Sequence, residues 1–133
     1  MRGEKKLTLS LFLLRVSVFV VMLMWTLDKF FRPEHASLVY QVFYAIPSFG
    51  AGISYLIGAI EMSVILGFLF GYKKTFTYGA VFLLHAISTL SSYKQYLAPF
   101  QEGNLLFFAA WPMLAACFAL FLLRDRDTFL SVD

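Results

Sequence analysis

Seven side chains in this chain are placed to do chemistry: Arg15, Trp25, Lys29, His35, Glu61, His85 and Ser88. Glu61 is the most costly of them. It stands in Gly58-Ala59-Ile60-Glu61-Met62-Ser63-Val64, about ten residues from either end of an apolar run. On insertion scales a carboxylate at the centre of a membrane span costs about 2.5–3.5 kcal/mol. It must therefore be protonated, paired or hydrated. Arg15 poses the converse problem, because its guanidinium keeps its proton and needs an anion.

The elements that carry these residues follow from composition. Of the 133 residues 60% are hydrophobic and only 14% charged, with a mean hydropathy of +0.75. Soluble domains carry about 25% charged residues, so the composition belongs to a membrane protein. Four apolar runs are legible, at about 7–27, 51–70, 76–93 and 104–123. Each holds close to the 20 residues a helix needs to cross the hydrocarbon. Between the first two, Leu38, Val39, Val42, Phe43 and Ile46 recur at helical spacing with Ser37, Tyr40, Gln41 and Tyr44 opposite. That predicts an amphipathic surface helix over 33–46, too short to span, with Pro33 in its first turn and Glu34 at its positive end. The expected fold is all-α: one integral membrane domain, a four-helix bundle with this short surface helix between the first and second spans.

The first run resembles a signal peptide, but Arg15 interrupts it and no small-x-small cleavage site follows. The head, the 71–74 turn and the tail carry seven basic residues, and the opposite side carries Lys29, Arg32 and Lys94. The positive-inside rule then places both termini in the cytoplasm. Ser63, Gly67 and Gly71 repeat every four residues, a stripe that admits a close neighbour. Pro112 is expected to kink the fourth span, and the charged tail from Arg124 to Asp127 reads as a soluble helix extension.

This topology puts Arg15 about eight residues into the first span, Glu61 about ten into the second and His85 about nine into the third. At 1.5 Å per residue the three lie within about 5 Å of one depth. The expectation is an Arg15–Glu61 ion pair with His85 near it. Such a pair can serve only to lock two helices in register. It can also form a midplane site that binds a quinone headgroup or another small polar ligand, or that passes protons through Glu61 and His85. Arg15 reaching the cytoplasmic surface alone is a further option. A second constellation lies at the outer mouth. Trp25, Lys29 and His35 on one side, with His85 and Ser88 leading to Ser92 and Tyr96 on the other, outline a polar path to the midplane. The same residues also suit an ordinary interfacial belt.

No metal is expected. The two histidines fall at different depths, which argues against a shared haem, and Met113 with Cys117 suits core packing better than copper. One cysteine excludes an intrachain disulfide. There is no nucleophile elbow, phosphate loop or zinc-protease motif, and no basic stripe that would suggest nucleic acid. The partners expected are the lipid bilayer and other membrane subunits or further copies of the chain. A small oligomeric carrier or channel gated by the midplane cluster is a third class.

Arg15 early in the first helix, Lys29-Phe30 closing it, and Glu61-x5-Gly67-x3-Gly71 followed by Lys73 and Lys74 together give the chain a layout that resembles the DoxX-like family of small four-helix membrane proteins. Trp25-Thr26-Leu27-Asp28 stands where a small residue is expected before the lysine. The resemblance implies an inner-membrane protein associated with redox systems: an accessory subunit of a membrane oxidoreductase in contact with the quinone pool. It implies no intrinsic cofactor, with quinone as the candidate ligand. A non-catalytic packing or assembly subunit is the alternative.

Overall fold

Every regular element is helical. Among residues 2–133, those this computed structural model describes, there is no strand. Helix α1 (Gly3–Phe31) runs 29 residues, because neither proline nor glycine interrupts it before Pro33. Arg32, at φ −137° and ψ 66°, leaves the helical region that a following proline disfavours, and Pro33 opens α2 (Pro33–Tyr44) at its first position. Ala45, with φ 54°, ends α2 in the left-handed region. Helix α3 (Ala51–Phe70) matches the expected second span and ends on Gly71 at φ 69°. Then come α4 (Lys74–Ser91), the short α5 (Tyr93–Leu97), a 3-10 turn (Asn104–Ala109) and α6 (Ala110–Leu122).

Three helices are long and apolar enough to cross a membrane: Gly3–Phe31, Ala51–Phe70 and the joined Asn104–Leu122. The four longer helices pack as a ring, α1 on α3, α3 on α4, α4 on α6 and α6 on α1, with α2 lying across α1 and α3. Leu11, Val18, Met22, Ile65, Val81, Cys117 and Leu120 fill the centre. Many large apolar side chains, Leu13, Ile60, Leu83 and Leu90 among them, stay exposed on the outside of the ring. A surface of that kind suits lipid better than water.

Two expectations about local structure are corrected. Pro112 does not kink one continuous helix. The segment from Asn104 starts as a 3-10 turn and becomes α-helical only at Ala110. Pro112 has no N–H to donate to the Phe108 carbonyl, so an α-helical bond is missing where the turn type changes. The tail is not a helix extension either. After a 3-10 turn at Arg124–Arg126 it folds back under the ring, where Val132 N–H donates to Phe70 O at 2.8 Å.

The small-residue stripe is used piecemeal. A Cβ on Gly67 would lie 2.8 Å from Thr77 Cγ2 of α4, whereas Ser63 is exposed and bonds its own helix at Ala59 O. At Gly71 a Cβ would fall 1.9 Å from Ser131 Oγ of the returning tail, and φ is +69°. Gly71→Ala is expected to cost at least about 1–2 kcal/mol from the left-handed backbone alone, and more from displacing the tail. A fall in thermal midpoint with faster proteolysis after residue 126 checks this. An unchanged midpoint contradicts it.

Candidate functional site

The polar residues separate into two clusters on the buried stripe of α1, which reads Leu11, Arg15, Val18, Met22, Thr26, Lys29. Arg15 and Lys29 are fourteen residues apart on it, about 21 Å along the axis. Each takes its own acid.

Arg15 is fully buried, and its counter-charge is Asp127 at 3.5 Å, also fully buried. Its guanidinium donates as well to the Phe129 and Leu130 carbonyls and to Tyr78 OH, while Tyr78 OH donates to Asp127 Oδ2 at 2.5 Å. Lys74 Nζ donates to Asp127 O at 2.6 Å and Arg124 O at 3.2 Å. Phe129 packs edge-on against Phe12 at 4.9 Å. The tail therefore closes the end of the ring that carries both termini.

The expected Arg15–Glu61 pair does not form. Glu61 pairs with Lys29 at 3.0 Å and accepts a hydrogen bond from Thr26 at 3.4 Å. The cause is register. Ser54 Oγ donates to Lys29 O at 2.7 Å and Gly58 sits against Phe30, so α3 meets the far end of α1. Glu61 then lies level with Thr26, eleven residues beyond Arg15, about 16 Å from the assumed depth. Gly58 permits this close approach, since a Cβ there would stand 2.8 Å from the Phe30 ring.

Around the second cluster a cavity of about 1120 Å³ opens between α1, α2, α4 and the Asn104–Leu122 segment. Trp25, Lys29, His35, Glu61, His85 and Ser88 all line it, and Arg15 does not. The rest of its wall is chiefly apolar, including Val18, Met22, Leu84, Phe107 and Met113. Lys29 Nζ also reaches the Trp25 carbonyl at 3.4 Å and sits 5.6 Å from the Tyr40 ring centre. Trp25 stacks on His85 with centroids 5.8 Å apart and planes at 22°. His85 Nε2 donates to the Ala110 carbonyl at 2.9 Å. At the mouth, Asp28 joins α1 to α2 by accepting from His35 at 2.5 Å and from Arg32 at 2.6 Å.

Tyr40 and Asp127 were not among the seven candidates. Tyr40 lines the cavity beside Glu61, and burial first, then the Glu61 charge, pushes its phenol above the ordinary value. It therefore stays an O–H donor. Its signal in the sequence was the polar face of α2. Asp127 had none of its own, although the apolar Phe129, Leu130 and Val132 after it hinted that the tail returns to the core. Cys117 is buried in the core, and no cluster of three potential metal-ligating side chains occurs among the described residues. His35 and His85 share the cavity wall, but His85 is committed to Ala110 and His35 to Asp28.

No protein-family model matches the chain, and no curated protein or solved structure does either.

Proposed function

We propose that this chain is a four-span inner-membrane protein, with α4 as its third span and both termini in the cytoplasm. It holds a quinone-class ligand in the cavity and serves as an accessory subunit of a membrane oxidoreductase. The observation that carries the reading is the gathering of six of the seven chemistry-bearing side chains on one cavity wall.

The chemistry of that wall supports an uncharged, planar ligand with an apolar tail. The Lys29 and Glu61 charges cancel each other, so neither is free to select an ion. Trp25, His85 and Tyr40 offer ring faces. The volume of about 1120 Å³ is of the order that ligand sites occupy, and the apolar remainder suits a hydrocarbon chain. The DoxX-like layout points the same way. Both basic clusters at the terminal end, Lys5-Lys6 and Lys73-Lys74, favour a cytoplasmic face.

Protein purified in mild detergent with its neighbours and extracted with organic solvent is expected to yield a quinone in near-equal amount. A deletion strain is expected to lose part of its quinone-dependent respiration. Quinone-free protein together with unchanged respiration would reject the proposal.

One observation favours a packing subunit as a second reading. Leu97, Phe100 and Leu106 are 80–89% exposed beside α5, at the end of the ring away from the termini. Native mass spectrometry from lipid distinguishes the two: a bare monomer at natural expression counts against a packing role.

A further inference from the structure

We propose that the cavity selects the reduced, hydroxyl-bearing form of its ligand over the oxidised dicarbonyl form, and that His85 is the selecting residue. This rests on the reading that a quinone-class molecule occupies the cavity, and it adds which redox form is held.

His85 is 1% exposed and belongs to the cavity wall. Its Nε2 lies 2.9 Å from the Ala110 carbonyl oxygen. A carbonyl only accepts, so in the neutral ring the proton resides on Nε2. Nδ1 then carries a lone pair, and among the described residues it has no hydrogen-bond partner. Neither hydroxyl one turn further on, Ser88 or Thr89, meets it, and Thr89 Oγ1 donates instead to the His85 carbonyl at 2.7 Å. A buried acceptor left in this state is destabilising, and a ligand that supplies a donor removes the deficit. Trp25 covers one face of the imidazole and is itself 43% exposed.

The two strongest donors on the polar wall are already engaged. The Lys29 ammonium is directed at Glu61 and the Trp25 carbonyl. Tyr40, the other strong donor, sits against the Glu61 carboxylate. A quinol brings two O–H groups to these acceptors. A quinone brings two carbonyl oxygens and would set a lone pair against Nδ1.

The test uses the full chain in lipid nanodiscs under nitrogen. A short-chain benzoquinone, held oxidised or chemically reduced, is titrated by equilibrium dialysis. Wild-type protein is expected to hold the quinol about tenfold tighter than the quinone, as one net hydrogen bond implies. His85→Phe is expected to bring the ratio to about one by weakening the quinol alone, and Ser63→Ala, on the outer face, to leave it unchanged. Should His85→Phe fail to fold, nitrogen NMR of histidine-labelled wild type decides. The His85 Nδ1 signal, told from His35 by a His35→Gln variant, is expected to shift on adding quinol and not quinone. Equal binding of the two forms, or an Nδ1 signal unmoved by bound quinol, overturns the selection and leaves the cavity reading standing. Failure of both forms to bind overturns that reading too.

Discussion

Replacing Asp127 with alanine is expected to destabilise the protein by about 3–5 kcal/mol, because it strands a buried arginine without a counter-charge. Arg15 and Asp127 are both wholly buried, so water cannot take the place of the missing carboxylate. Tyr78 would lose its acceptor at the same time. The neighbouring carbonyls of Phe129 and Leu130 depend on the tail staying in place, and the tail is what Asp127 anchors. The effect should read out as a large fall in thermal midpoint and as proteolytic release of the tail. The double variant Arg15→Met with Asp127→Leu should recover part of the loss, since it leaves no buried charge unpaired, although Tyr78 still lacks its acceptor. If Asp127→Ala is neutral while Glu61→Gln unfolds the protein, the assignment of partners is wrong.

Lys29→Met is the second large effect, and it separates stability from binding. Lys29 and Glu61 expose only 10% and 13% of their side chains, so Glu61 alone would sit in a mostly apolar wall. The cost is set at about 1–3 kcal/mol, below that of a sealed pair, because the cavity admits some water. Affinity for a quinone analogue should fall at least about tenfold, as water or a proton drawn to Glu61 takes the place of the ligand head. Lys29→Met combined with Glu61→Leu should restore the thermal midpoint and leave binding impaired. A double variant that binds like wild type would show that the pair only ties α1 to α3.

Much of the architecture was legible because it depends on local pattern. Pro33 and the helical spacing from Leu38 to Ile46 marked the surface helix, observed at Pro33–Tyr44. The apolar run ending at Phe70-Gly71 marked α3 to the residue. Trp25, Lys29, His35, Glu61, His85 and Ser88 stood out because polar groups beside long apolar runs are costly, and the cost does not depend on knowing the partner.

The partner is what the runs could not reveal. Equal spans were aligned at their midplanes, which set Arg15 against Glu61. Yet α1 is 29 residues long, and Gly58 lets α3 slide to its far end until Ser54 bonds Lys29 O. Register between antiparallel helices is decided by such side-chain fits, and hydropathy carries no record of them. Asp127 shows the same limit over a longer distance. Its charge in an Arg-Asp-Arg-Asp run looks solvated, and only the return of Phe129 onto Phe12 draws it inside. The sequence by itself determined the helices, their apolar faces and which residues must find partners, since each follows from a local free-energy cost. The tertiary structure alone decided who those partners are and that six of the polar groups share one cavity, since both depend on how far one helix slides along another.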